Sequence, residues 1–189
     1  MNKLLGEEIK YNGPRFKVIQ RKFEREDGLI YTRDTVNPGD AVVVLPITED
    51  NEIVFIRQPR ESIGLVALEL PAGMIEPGED IELAAKRELE EETGLKTDNV
   101  EFLTSYYSSC GYTSEKLYIY VAKDFIYGKQ HLDETEEILD IEKIKIEDAL
   151  ERIYDEEFCH ASTKIAILTY YYKYVTRRKK IDGKHRTND

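Results

Sequence analysis

The sequence predicts an α/β fold in one main domain, with a strand-rich appendage at its N-terminus. Three observations carry this. Ala41-Val42-Val43-Val44-Leu45-Pro46-Ile47 is a continuous apolar run, the mark of a strand buried on both faces. Behind a Pro77-Gly78 turn, Ile81, Ala84, Ala85 and Leu89 recur at helical spacing. Upstream, Glu26-Asp27-Gly28 is a turn signal between two strand-like runs.

Residues 1–40 form the appendage. Phe16, Val18 and Phe23 mark a strand-like run from Arg15, Leu29 to Val36 reads as its return strand, and Asn37-Pro38-Gly39 breaks it. The main domain spans residues 41–180. After the first apolar run, Ile53-Val54-Phe55-Ile56 is the next strand, ended by Gln58-Pro59-Arg60. Val66-Ala67-Leu68-Glu69-Leu70 then leads into Pro71-Ala72-Gly73. Asp80 can cap the following helix and Gly94 can close it. Glu101 to Ser108 and Lys116 to Lys123 read as a strand pair, residues 128–137 as a polar loop, and Ile138 to Ile144 as a short strand. Glu147 to Tyr154 reads as a helix with Ala149, Leu150 and Ile153 inward. A longer helix from Ser162 to Arg178 puts Ile165, Leu168, Tyr172 and Val175 on one face. Residues 181–189 are a charged tail.

Composition narrows the function classes. At 189 residues the chain is long enough to bury a core, and 41% hydrophobic with 34% charged residues describes a soluble globular protein. A net charge of -11 argues against a nucleic-acid backbone as partner. A small anionic ligand remains compatible, because a bound metal inverts the local sign. No apolar run reaches membrane-spanning length and no signal peptide opens the chain, so no membrane partner is expected. Cys110 and Cys159 make no disulfide framework, which points to a reducing cytoplasm.

The predicted helix carries too much like charge to be idle. Glu88, Glu91 and Glu92 share one side, and like charges at that spacing destabilise a helix by roughly 0.2–0.5 kcal/mol per pair. Arg87 can pair with Glu91, but one arginine does not neutralise the set. The competing reading is a solvated acidic face. The remaining candidate is a divalent cation held by Glu88 and Glu92, one turn apart, with Glu91 joining through water or a second ion. Mg²⁺ suits such oxygen ligands, and Mn²⁺ is possible.

Gly73, Glu79, Arg87-Glu88-Leu89, Glu91-Glu92 and Gly94-Leu95 match the Nudix box at every specified position. The chain therefore resembles the Nudix hydrolase superfamily. Arg57-Gln58-Pro59-Arg60, Glu69-Leu70-Pro71-Ala72-Gly73 and Ser108 to Glu115 are similar to its ADP-ribose pyrophosphatase branch. So is the ending, an acidic loop before two helices with Ala161-Ser162-Thr163-Lys164 on the second.

The resemblance implies an α/β/α sandwich with a mixed sheet and an N-terminal antiparallel strand element. It implies Mg²⁺-dependent cleavage of ADP-ribose to AMP and ribose 5-phosphate. The Ala72 carbonyl joins Glu88, Glu91 and Glu92 as a metal ligand, and Glu79 braces Arg87. Arg60, Met74, Ser109, Cys110, Gly111 and Glu115 line the substrate pocket. Glu136, from the acidic loop, would be a further ligand and Glu134 the base, with Glu91 as the competing base. The branch forms homodimers that exchange N-terminal strands, which places Phe16, Arg33 and Asp34 at the adenine; the competing reading is a small-core residue for Phe16 and a solvated strand charge for Arg33. Two departures stand out: Cys110 where the branch carries proline, and Pro59 where it often carries tyrosine. Two rival functions follow. One is the same chemistry on another nucleoside diphosphate sugar such as a GDP-hexose. The other is a non-catalytic ligand-sensing Nudix domain.

Overall fold

The N-terminal residues fold into an antiparallel sheet, β1 (Lys3–Asn12), β2 (Lys17–Glu24) and β3 (Ile30–Asn37), in the computed structural model, which describes residues 2–176. The charged tail predicted at 181–189, and the last residues of the predicted final helix, lie outside the described residues. The β2–β3 turn closes through Gly28 at φ +85°, a conformation glycine adopts without strain. β1 is exposed along its whole length and puts Leu4, Ile9 and Tyr11 on the surface. Its apolar residues follow no two-residue alternation, so the sequence carries no strand signal there.

The chain divides into two compact units. The first joins this sheet to the segment Ser105–Leu117, where Val36 pairs with Thr113 and donates its N–H to the Tyr112 carbonyl at 2.8 Å. The second takes Val42–Thr104 and the described residues from Tyr118 onward. The strands after β3 are β4 (Ala41–Pro46), β5 (Glu52–Arg60), β6 (Leu65–Glu69), β7 (Ala72–Met74), β8 (Leu95–Lys96), β9 (Val100–Tyr107), β10 (Lys116–Ala122), β11 (Ile126–Tyr127) and β12 (Asp140–Lys145). One sheet runs β7-β4-β10-β9, another β12-β5-β6, and β8 pairs with β11. The helices are α1 (Ile81–Thr93), α2 (Ile146–Arg152) and α3 (Ala161–Tyr170), the last widening into a π-helical turn at Tyr171–Val175. None of the described helices is long and apolar enough to cross a membrane.

Burial follows the pattern the apolar runs dictate. Val42 and Val44 on β4 pack with Val54, Ala84, Ala85, Leu89, Tyr120 and Ala122, so α1 covers that face. Val43 and Leu45 point the other way and are just as buried. Across β5, Phe55 meets Phe158 edge-on at 5.4 Å between ring centroids, closing the core on the α3 side. The continuous run is thus a strand covered on both faces.

Two local expectations need correction. Pro59 does not end its strand: β5 continues to Arg60, paired to β6. The β12 partner stops opposite Arg57, so Pro59 sits where β5 is paired on one side only, the place a strand tolerates proline. The apolar face that the sequence predicts on α3 is also not the face that packs. Leu168 and Tyr172 are exposed, while Ser162, Thr163, Ala166, Ile167 and Tyr170 are buried. The small residues bring α3 close to the sheet, and the Leu70 N–H reaches Thr163 Oγ1 at 3.2 Å.

Candidate active site

Helix α1 begins at Asp80, whose Oδ1 accepts the Glu82 and Leu83 N–H groups at 3.0 and 3.2 Å, and ends at Gly94 in the left-handed conformation. Arg87 is the hub of its polar face. The guanidinium grips Glu79 with two bonds of 2.9 and 3.0 Å, Glu88 Oε1 at 2.7 Å, Glu91 Oε2 at 2.9 Å and the Met74 carbonyl at 3.0 Å. Glu79 is therefore a brace, as expected. The carboxylate hydrogen bonds raise the Arg87 pKa far above its ordinary value, so its charge is permanent.

Glu88 and Glu92 are the buried acids of the helix, 5% and 1% exposed. Glu92 Oε2 accepts the Ala72 N–H at 2.7 Å, tying α1 to β7. Gly73 is needed for the same approach: a Cβ there would lie 2.1 Å from the Glu88 carboxyl carbon. Burial, opposed by Arg87 and reinforced by Glu91 and Glu136, pushes the Glu88 pKa up to about 7. Burial also drives Glu92 well above the usual carboxylate range, with Glu88, Glu136 and Glu69 adding repulsion.

The acidic loop is anchored to the end of α1. Gln130 Nε2 and the His131 N–H donate to the Glu92 and Glu91 carbonyls at 2.6 and 2.9 Å. A short turn follows, closed by the Glu136 N–H on the Asp133 carbonyl at 3.0 Å. Glu136 is half-buried and its charge is felt by both Glu88 and Glu92, whereas Glu134 is exposed.

The donor set fits a hard divalent cation. It is all oxygen, two of its carboxylates resist ionising without a countercharge, and Arg87 and the Ala72 N–H occupy only one oxygen of each. Among the described residues no three acidic, His or Cys side chains converge as a ready ligand cluster. Arg87 is the countercharge of Glu88 and Glu91. Glu88, Glu91, Glu92, the Ala72 carbonyl and Glu136 would hold the ion. When bound it would neutralise a diphosphate and make a water acidic enough to attack phosphorus.

On the sheet beside α1, Arg60 forms a two-pronged pair with Glu69, Nε to Oε1 at 2.7 Å and Nη2 to Oε2 at 2.9 Å. The register sets Ile56 opposite Glu69, so Gln58 and Arg60 share that sheet face. Glu69 is almost wholly buried. His160 Nδ1 lies 3.2 Å from its Oε2. Gln58 is buried and its Oε1 has no hydrogen-bond partner among the described residues. The sequence reading gave Glu69, Gln58 and His160 no role. A glutamate inside the apolar run Val66 to Leu70 was a usable signal for the first, since a buried charge requires a partner. Nothing in the sequence pointed to His160.

The remaining expected residues belong to the first unit. Ser109 accepts the Tyr112 and Thr113 N–H groups through its carbonyl at 3.2 and 3.1 Å, shaping the loop that carries exposed Cys110 and Gly111. The Glu115 N–H donates to Thr113 Oγ1 at 3.1 Å. Phe16 packs on Tyr11 at 5.4 Å between centroids, Arg33 stacks over the Tyr31 ring at 4.7 Å, and Asp34 accepts from Gln20 at 2.9 Å. Met74, in the second unit, is half-exposed beside Gly73.

The chain as a whole is similar to known proteins. Residues 37–163 match the NUDIX domain family. An ADP-ribose pyrophosphatase of Bacillus subtilis is 31% identical over 87% of this chain and 90% of its own. A methanol dehydrogenase activator of Bacillus methanolicus is 34% identical over 83% of this chain and 85% of its own. The crystal structure of an ADP compounds hydrolase superposes with a TM-score of 0.79 at 25% identity, covering 98% of this chain and 97% of that one. An acidic helix locked by one arginine, a glycine pressed on a buried glutamate, and these likenesses lead to one conclusion: the chain belongs to the Nudix hydrolase family.

Proposed function

We propose that this Nudix hydrolase cleaves the pyrophosphate bond of ADP-ribose to AMP and ribose 5-phosphate, with Mg²⁺ as cofactor and Mn²⁺ able to replace it. The observation that carries the reading is the pair of buried carboxylates, Glu88 against Gly73 and Glu92 on the Ala72 N–H, with Arg60 near enough to feel the charge of Glu92. The relatives named as ADP-ribose pyrophosphatase and ADP compounds hydrolase support the substrate class. In this reading Ala72, Glu88, Glu91, Glu92 and Glu136 serve the metal, and Glu134 or Glu91 orients the attacking water. Arg60, Met74, Ser109, Cys110, Gly111 and Glu115 meet the substrate. Residues 1–40 are a dimerisation element whose exchanged strands bring Phe16, Arg33 and Asp34 to the adenine of the partner subunit. The fully exposed β1, carrying Leu4, Ile9 and Tyr11, supports such a contact. The working compartment in this reading is the cytoplasm.

Cys110 favours a second reading, the same chemistry on another nucleoside diphosphate sugar, because it stands where the ADP-ribose branch carries proline. A hydrolysis panel with Mg²⁺ and with Mn²⁺ decides. The expected result is the highest kcat/KM on ADP-ribose; a clear preference for a GDP-sugar overturns it. Glu92→Gln should lose most turnover, by about a hundredfold or more, with the fold intact. Near-normal activity in that variant removes Glu92 from the metal site.

A further inference from the structure

We propose that His160 is a positioning residue of this site: its Nδ1 holds the Glu69 carboxylate, and through it the Arg60 guanidinium, in the orientation that meets the substrate. This rests on the reading of Arg60 as a substrate contact. The two-pronged pair locks the guanidinium plane to the carboxylate plane, so whatever turns Glu69 re-aims Arg60. The last torsion of a glutamate is broad and soft. A third contact on the carboxylate, His160 Nδ1 at 3.2 Å from Oε2, restrains it.

The position of His160 is itself set by the backbone. On one side of Glu69 the Leu68 N–H donates to the Glu157 carbonyl at 2.8 Å; on the other the Leu70 N–H donates to Thr163 Oγ1 at 3.2 Å. The segment from Glu157 to Thr163 is thus strapped to β6 on both sides of the glutamate, with His160 between the two bonds. Arg57 adds an ion pair to Glu157 at 3.0 Å.

His160 also breaks a local rule. It is the N-cap of α3, with an extended backbone at φ -75° and ψ 124°, and its carbonyl accepts the Lys164 N–H at 3.3 Å. Its side chain makes no capping hydrogen bond. Ser, Thr, Asp or Asn would cap better. A cap forgone while the side chain faces a buried carboxylate is the pattern of a residue kept for its site rather than for its helix.

The test is His160→Ser, which can cap α3 but is too short to touch Glu69. We expect an equal or higher melting temperature, a KM raised about tenfold and a kcat within about twofold of wild type. His160→Gln restores a donor on a longer side chain and should bring KM most of the way back. Wild-type KM in His160→Ser overturns the inference, as does a fall in kcat and melting temperature at constant KM, or a His160→Gln variant with no recovery. Arg60→Lys, measured alongside, separates the two layers. If it leaves KM unchanged, the placement of Arg60 at the substrate fails; if it raises KM while His160→Ser does not, only the role of His160 fails. Should wild type turn over another diphosphate in preference to ADP-ribose, the same KM comparison is made on that substrate.

Discussion

Gly73→Ala isolates the glutamate that the metal reading depends on most. The added Cβ would sit 2.1 Å from the Glu88 carboxyl carbon and Oε1 and 2.2 Å from Oε2. Non-bonded heavy atoms settle near 3.5 Å, so the carboxylate must retreat by about 1.3 Å or more. The obstacle is the far end of a flexible side chain. The backbone can therefore stay in place while Glu88 takes a poorer rotamer, at a cost of about 1 kcal/mol. Retreat also pulls Oε1 off Arg87, where the bond is now 2.7 Å. A misplacement of about 1 Å in a catalytic constellation costs on the order of a hundredfold in rate. The expected outcome is a melting temperature within a few degrees of wild type, a turnover lowered about a hundredfold, and a Mg²⁺ titration displaced to higher concentration. The assay is initial rate on ADP-ribose against Mg²⁺, paired with thermal unfolding. Adding Glu88→Asp, one methylene shorter, should recover part of the loss. Turnover within threefold of wild type with an unchanged Mg²⁺ titration would refute the reasoning, because the Glu88 carboxylate would then be free to move without consequence.

Without metal, stability should depend on pH in a direction opposite to that of an ion-paired acid. Burial raises the folded Glu88 pKa from 4.5 to about 7, and raises Glu92 as well. The folded chain then holds protons that the unfolded chain has released, so this stability is full below 4.5 and is lost as pH rises through about 7. Glu88 alone accounts for up to about 3 kcal/mol of that loss. Urea midpoints in chelator should fall from acid to neutral pH, and Glu88→Gln should flatten the slope; an unchanged slope contradicts the burial argument. Gln58→Met removes the orphaned Oε1 at nearly constant volume and should raise stability by about 1 kcal/mol. A lower denaturation midpoint would mean that the oxygen has a partner, such as a buried water, in solution.

The elements that were legible in the sequence are those written in local code. Helix α1 was readable to its caps because the Asp80 cap, the stripe through Ala84, Ala85 and Leu89, and the Gly94 terminus all lie within a few turns of one another. The Arg87 brace on Glu79 follows from a loop folding back on that same helix. β4 was readable because two covered faces leave no polar positions. β1 was not, since a strand exposed along its length carries no burial pattern to read. The face of α3 was misjudged because large apolar residues were weighed above small ones. Where a helix packs closely, Ala166, Ser162 and Thr163 go inward and Leu168 and Tyr172 stay out.

The same division runs through the site. Its acidic side is one helix, one glycine and one loop bonded to the helix end, and sequence spacing conveys most of it. Its sheet side is assembled from strand β5, strand β6 and the start of α3, joined by the Arg60–Glu69 pair and the His160 contact. No short spacing encodes such a meeting. Yet one residue announced it. A glutamate that is 1% exposed within Val66-Ala67-Leu68-Glu69-Leu70 cannot stand alone, because an unpaired buried carboxylate costs several kcal/mol and would protonate instead. Its place in that apolar run demands a cation, and Arg60, sharing its face across the β5–β6 pair, supplies it. A charge inside an apolar strand run thus carries the same weight as a motif: it marks a place where distant parts of the chain must meet.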